Sequence, residues 1–346
     1  MERLVAAQPS REDKARAAAE RFLDRYLAPD GRVIRHDQGG DTVSEGQAYA
    51  MLVAVAIGDR ARFDLAWTWT RTHLQRADSL LSWRWQDGRV LDPGAASDAD
   101  VDAAHALLLA AERFATPAYR GEAITIARSL LANATVQVAG DLPVLVAGPW
   151  ARTAPYVINP SYFAPGAFAA FASTTGERRW DQLRESSYHL SHQLVADPPK
   201  LPPDWAYLDP SGAPWPIASP EHPDGRPRYG FDAARLLVRY AADCAERSRA
   251  LVADAGQRLP SATERVVAEY NLDGAGLVGF EHPLGIVAGA AFAFSTGDPS
   301  VALQRLDQAE RLDERFPTYY GAAWVALGRL MLTTRLLGPC APGTEA

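Results

Sequence analysis

Apolar residues recur along this chain at intervals of three and four, and the alternation that marks a half-buried strand is scarce. The spacing predicts helices over Glu12–Leu27, from Ser44 onward, and over Arg60–Leu74, Asp98–Phe114, Pro117–Ala132, Ala164–Thr174 and Arg178–Val195. Further helices are expected over Gly230–Glu246, Ser261–Tyr270, Leu284–Ser295, Pro299–Asp313 and Tyr320–Leu337, with Gly, Pro and Asp punctuating the gaps. No repeat of solenoid length is visible.

The helices fall into two kinds that alternate. One kind carries little charge and many small residues: Tyr49–Ala56, Ala103–Ala111, Gly166–Ala172, Leu284–Phe294 and Ala322–Leu332, with Asp232–Ala242 similar but carrying two arginines. The other kind, such as Arg178–Val195 and Val301–Asp313, keeps a polar face. A helix apolar all round is buried, and one with a polar face lies outside. Six buried helices alternating with outer ones describe an all-α toroid, an (α/α)6 barrel. If every second helix is inner, the inner helices run parallel and their N-termini meet at one end. Glu45, Asp98, Tyr162, Asp232, His282 and Tyr320 lie at or just before those N-termini, so residues far apart in sequence are expected on one face. The expected organisation is an N-terminal segment 1–14, one domain over 15–337 and a tail over 338–346. Within the domain, the Pro-rich stretch Pro198–Pro227 reads as a long decorated loop carrying Trp205 and Trp215.

Composition narrows the chemistry. The net charge of −7 lacks the basic footprint that nucleic acid requires. The apolar run Leu284–Phe294 is too short to span a bilayer. The N-terminus as given has no signal-peptide pattern; the chain is intracellular, or a signal was removed before this numbering begins. The two cysteines, Cys244 and Cys340, are a bridge or two thiols, and the sequence does not choose. His189 and His192 on an expected outer helix read as surface, no metal or cofactor is expected, and no nucleotide-binding or serine-hydrolase motif is present.

What remains is carboxylates. Ser44-Glu45-Gly46-Gln47, Ala96-Ser97-Asp98-Ala99-Asp100 and Tyr229-Gly230-Phe231-Asp232 each put one where a loop turns into an inner helix. Each also has a plain structural explanation, because Ser and Asp cap helices and Glu in the first turn complements the dipole. Ser44, Asp98 or Asp100, and Asp232 are all candidates for that role. Paired carboxylates flanking a bond are, however, the equipment of glycoside hydrolysis. Trp83 and Trp85 in Ser82-Trp83-Arg84-Trp85 precede the Asp98 helix in a loop-like segment. With Tyr162, Trp205 and Trp215 they offer faces on which sugar rings stack, core packing being the alternative for each tryptophan. Trp67, Trp69 and Trp180 lie inside outer helices and read as core.

These segments, with Asn159-Pro160-Ser161-Tyr162-Phe163 and Tyr229-Gly230-Phe231-Asp232-Ala233-Ala234-Arg235, resemble the signature segments of glycoside hydrolase family 8 and come in the same order. The chain resembles that family over about residues 15–336, and its compact loops resemble the bacterial endoglucanases found with cellulose synthase systems. The resemblance implies an (α/α)6 barrel and an inverting endo-acting hydrolase of β-1,4-glucan. It implies Glu45 as general acid, Asp232 as general base, and Asp98 rather than Asp100 as the aspartate that contacts the sugar at the cleavage subsite and tunes Glu45. It implies that Tyr162 and Arg235 position the sugar or the base, and substrate-binding roles are expected as well for Trp83, Trp85, Trp205, Tyr229 and Tyr320. A monomer, secreted or periplasmic and associated with a cellulose synthase complex, is expected. His105 departs from the family's usual tyrosine or small residue in the signature helix. Chitosan, xylan or mixed-linkage glucan as substrate, or a non-catalytic glycan-binding toroid, are the other readings.

Overall fold

The computed structural model describes residues 9–340 apart from 197, 199, 262, 263 and 339. Among the described residues twelve α-helices alternate between two rings. The inner ring is α2 (Ser44–Ile57), α4 (Ser97–Arg113), α6 (Pro165–Thr175), α8 (Ala233–Asp243), α10 (Pro283–Ser295) and α12 (Tyr319–Thr333). The outer ring is α1 (Arg11–Tyr26), α3 (Arg60–His73), α5 (Pro117–Asn133), α7 (Arg179–Val195), α9 (Glu246–Gly256) and α11 (Pro299–Arg315). Each inner helix contacts the next, and α12 returns to α2, so the ring closes into the (α/α)6 barrel expected from the pattern. Burial along the inner helices is deep in most: α10 buries eleven of its thirteen residues, from Pro283 to Phe294, whereas α6 buries only four of eleven.

The loops are unequal. From an inner helix to its outer partner the chain takes a few residues, such as Gly58-Asp59 or Cys244-Ala245. From outer to inner, except between α11 and α12, it takes a long excursion. Those excursions carry three small antiparallel sheets: β1 (Thr42–Val43), β2 (Arg84–Gln86) and β3 (Arg89–Asp92); β4 (Thr135–Val138) and β5 (Leu142–Leu145); β6 (Tyr156–Ile158), β7 (Trp205–Leu208) and β8 (Pro214–Ile217). All elaboration therefore falls at the end where the inner helices begin. The strands escaped the sequence pattern because two to four residues are too few to show alternation.

Four expectations need correcting. The expected helix Ser261–Tyr270 is absent from the described part of that stretch; Tyr270 instead bridges to Tyr229 and Gly276. The missing outer helix is α9, hidden in the sequence because Gly230–Glu246 read as one helix. Cys244, at φ 56°, breaks it in the left-handed region and Ala245 starts the next. The last helix ends at Thr333 rather than Leu337. Residues 11–14, assigned to the N-terminal segment, form the first turn of α1: Ser10 and Asp13 make a reciprocal capping box, and Lys14 pairs with Asp307 of α11. Cys244 and Cys340 are disulfide-bonded, Cα atoms 6.3 Å apart, tying the chain after α12 to the end of α8.

Candidate active site

At the N-terminal end of the inner ring a cavity of about 490 Å³ opens among Arg35, Glu45, Trp83, Asp98, Trp150, Tyr162 and Trp205, with Asp92 and Glu221 also in its wall. Its floor is organised by one buried cation. Arg235, on the first turn of α8 and 0% exposed, donates from Nη1 to Glu45 Oε2 (2.9 Å), Asp98 Oδ2 (2.7 Å) and the Tyr49 hydroxyl (3.1 Å). From Nη2 it donates to Asp232 Oδ1 (2.5 Å), and its guanidinium lies over the Tyr162 ring, 5.3 Å from the centroid. Three carboxylates from α2, α4 and the start of α8 thus share one guanidinium. Hydrogen bonds of 2.9 and 2.5 Å, with the width of that planar fork, hold the Glu45 and Asp232 oxygens within about 8 Å of each other.

None of the three carboxylates stands at the cap position and caps its helix from there, although Asp98 Oδ1 accepts the Ala99 N–H in the first turn of α4 (2.9 Å). Ser44 lies inside α2, its N–H given to the Trp83 carbonyl, and Val43 is the residue at the cap position. Ser97 donates its hydroxyl to the Val146 carbonyl. Asp232 makes no capping bond; Asp204 accepts the Gly230 and Ala233 N–H groups instead (2.9 and 2.8 Å). Asp100 is fully buried and accepts the Leu81 N–H at 2.8 Å, so it is Asp98, not Asp100, that reaches Arg235.

Burial sets the protonation of Glu45. It pushes the carboxyl up to about 7 against the pull of Arg235, with the charges of Asp98 and Asp232 adding to the rise. The Tyr319 hydroxyl, donating to Oε1 at 3.1 Å, works the other way. The helix dipole at the start of α2 also favours the carboxylate, and it is outweighed. Asp98 is likewise raised, chiefly by burial, with Arg235 opposing.

The expected aromatic residues divide. Trp83, Tyr162 and Trp205 line the cavity, Trp205 meeting Tyr162 edge-on at 6.0 Å. Trp85 does not; it packs edge-on against Trp69 (5.3 Å) and His73, with Arg32 over its ring at 5.0 Å. Trp83 precedes β2 and Trp85 lies within it, so strand alternation does not bind the two to one face. Tyr229 is 1% exposed, its ring against Tyr270, and does not line the cavity. Tyr320 is half-buried beside Tyr49, His282 and Phe231 and donates to the Phe231 carbonyl (3.3 Å). Trp215 is 41% exposed on β8 against Tyr207. Trp67, Trp69 and Trp180 are core, and His189 and His192 are exposed on α7.

Sequence reasoning missed Tyr49, Tyr319, Asp204, Trp150 and the pair formed by Arg35 and buried Asp41. Tyr49 had a signal, since it stands one turn from Glu45 on the same helix face. Asp204 and Trp150 had none, being single residues in long excursions.

The comparisons bear on the family and the fold. The model of "Glycosyl hydrolases family 8" matches residues 4–246. The chain is 36% identical over 226 residues to a probable endoglucanase of Novacetimonas hansenii, covering 63% of this chain and 64% of that protein. It is 35% identical over 228 residues to an endoglucanase of Cellulomonas uda, covering 64% and 62%. The matched stretch is thus just under two thirds of these relatives' length. Among solved structures, an endo-beta-1,4-glucanase from Acetobacter xylinum superposes with a TM-score of 0.77 at 30% identity, over 92% of this chain and 98% of that one. The barrel, the order of its site segments and the family model converge: this chain belongs to family 8 of the glycosyl hydrolases.

Proposed function

We propose that the protein is an inverting, endo-acting hydrolase of β-1,4-glucan chains. The observation that carries this is the trio Glu45, Asp98 and Asp232 gathered by Arg235 on the floor of an open, tryptophan-lined cavity. The names of the three relatives given above, each an endoglucanase, support the substrate class.

The roles follow from environment. Glu45, held protonated to near neutrality by burial, donates its proton to the glycosidic oxygen as the bond from C1 to that oxygen breaks. Asp232, 28% open at its side chain, takes a proton from a water whose oxygen attacks C1 from the opposite face. One bond forms as the other breaks, so the β-linkage yields an α-anomer; Asp232 ends protonated and Glu45 ionised, and solvent exchange resets both. Inversion needs the two carboxyl groups about 6.5–9.5 Å apart to admit that water. The shared guanidinium is compatible with that spacing. Asp98 contacts the sugar at the cleavage subsite. Trp83, Tyr162 and Trp205 hold neighbouring units, and Arg235 orients Asp232 and keeps the carboxylates from repelling one another.

The site is complete in one chain, which supports a monomer. The Cys244–Cys340 bridge suits an oxidising compartment, secreted or periplasmic, and the resemblance to endoglucanases accompanying cellulose synthases supports association with such a complex. Among the described residues no helix is long and apolar enough to cross a membrane. Asp92 and Glu221 in the cavity wall favour a second reading, cationic chitosan. A product-resolved assay on carboxymethylcellulose, mixed-linkage glucan, chitosan and xylan decides the substrate, with NMR of the first product formed. Fresh β-anomer excludes Asp232 as a water-activating base. Glu45→Gln that hydrolyses normally excludes Glu45 as the acid, and a wild type inert on every glycan leaves a binding toroid.

A further inference from the structure

The start of α8 is built in an unusual way. Its first helical bond runs from the Ala234 N–H to the Gly230 carbonyl (3.1 Å), so the turn from Gly230 to Ala233 opens the helix and carries Asp232. A helix start leaves N–H groups without partners, and the residue at the cap normally supplies a side-chain oxygen to them. Here Asp232, at the cap position, makes no such bond, and Gly230, whose carbonyl accepts the first helical bond, has no side chain to make one. The oxygen comes from Asp204, at the far end of the same long excursion between α7 and α8, just ahead of β7. Its Oδ1 accepts both the Gly230 N–H (2.9 Å) and the Ala233 N–H (2.8 Å). The fit leaves no room for a side chain at 230, where a Cβ would stand 2.8 Å from Asp204 Oδ2. Asp204 is itself 6% exposed, held by its own N–H to the Arg228 carbonyl (2.8 Å), with the Arg228 Nε 3.4 Å from Oδ2.

We propose that Asp204 is a positioning residue for Asp232: it caps α8 from outside the helix and so fixes the turn from which the Asp232 carboxylate faces the cavity. The inference rests on the general-base reading of Asp232 given above. The turn is pinned on its other flanks by the paired backbone bonds of Tyr229 and Tyr270 (2.9 Å each) and by the Tyr320 hydroxyl on the Phe231 carbonyl. Asp204 is the clamp on the N–H groups within the turn. Because the capping is done by Asp204, the Asp232 side chain is spared that task and, among the described residues, bonds to Arg235 alone. Burial, with the charge of Asp232 adding to it, pushes the Asp204 carboxyl up to about 7, so around neutrality it serves as an acceptor with or without charge. Asparagine, which keeps the acceptor oxygen, is therefore the conservative replacement.

The test compares Asp204→Asn, Asp204→Ala and the double variant Asp204→Ala/Gly230→Ser. The double variant returns a capping oxygen to the helix itself in the space the carboxylate vacates. With a defined cello-oligosaccharide, Asp204→Ala is expected to lose about 100-fold in kcat, the scale of a 1 Å misplacement of a reacting group, with KM within about threefold. Asp204→Asn should stay within about threefold of wild type in both constants, and the serine should recover at least about tenfold of the lost kcat. A crystal structure of Asp204→Ala should show the 230–233 turn shifted. Wild-type kcat in Asp204→Ala, or an unmoved turn, overturns the proposal. So does a folded Asp204→Asn as impaired as alanine, which decides the matter even if the alanine variant does not fold. A wild type without activity on β-glucans would instead refute the functional reading, while the position of the turn would still report on the cap.

Discussion

The protonation of Glu45 offers the sharpest quantitative test, through Asp98→Asn. Glu45 Oε2 and Asp98 Oδ2 accept from the same Arg235 nitrogen, at 2.9 and 2.7 Å, which holds the two oxygens within about 6 Å of each other. At that separation and an effective dielectric of about 20, two like charges repel by roughly 3 kcal/mol. That is worth about two pH units on Glu45 as an upper limit, at ~1.4 kcal/mol per unit. Asparagine keeps an oxygen for Arg235 and removes the charge. In the wild type the alkaline limb of kcat/KM should fall near pH 7, where the acid loses its proton. In Asp98→Asn the limb should move toward acid by one to two units, whatever happens to the maximal rate. The assay is initial rate against pH on a soluble cello-oligosaccharide, with kcat and KM separated at each pH. A limb that stays in place refutes the reasoning, because it means Asp98 carries no charge in the folded protein or that Arg235 screens it fully. A limb that moves toward alkali refutes the assignment of Glu45 as the acid.

Gly46→Ala should move the same limb the other way. A Cβ there would stand 2.8 Å from the Tyr319 hydroxyl, displacing the donor that favours ionised Glu45, at a cost of about 1–3 kcal/mol in stability by denaturant titration. The two neighbouring tryptophans should part company. Trp83→Ala should raise KM for long oligosaccharides, whereas Trp85→Ala, which removes packing on Trp69 and Arg32, should lower Tm and leave KM within about twofold. Stability should be greater at pH 5 than at pH 8. Glu45 and Asp204 are raised to about 7 and Asp313 to about 6, chiefly by burial in each case, so the folded chain holds protons that the unfolded chain has released. The stabilisation is present below their ordinary values near 4 and is lost as pH rises through 6 and 7. A Tm that climbs steadily from pH 5 to pH 8 would show these carboxyls to be open to solvent.

The alternation of all-apolar and amphipathic helices was enough to yield the barrel, because burial on every side leaves a compositional mark that needs no knowledge of contacts. It also located Glu45, Asp98 and Asp232 at one end, since parallel inner helices must begin together. What the pattern did not contain was anything set by a single residue. The break at Cys244 that makes α9 is one left-handed residue inside an apolar run. Trp83 and Trp85, two positions apart, face the cavity and α3 respectively. Asp100 and Asp98 are two positions apart on one helix, and rotation about its axis sends one to Leu81 and the other to Arg235. Asp204 and Tyr319 meet their partners 29 and 274 positions away, the one across the long α7–α8 excursion and the other between α12 and α2. Periodicity records which face of a helix is buried; it holds no information about which distant group waits there. The sequence by itself determined the scaffold and the end at which its carboxylates gather. The tertiary structure alone decided which of them share Arg235, because that depends on hydrogen bonds between segments whose proximity exists only once the ring has closed.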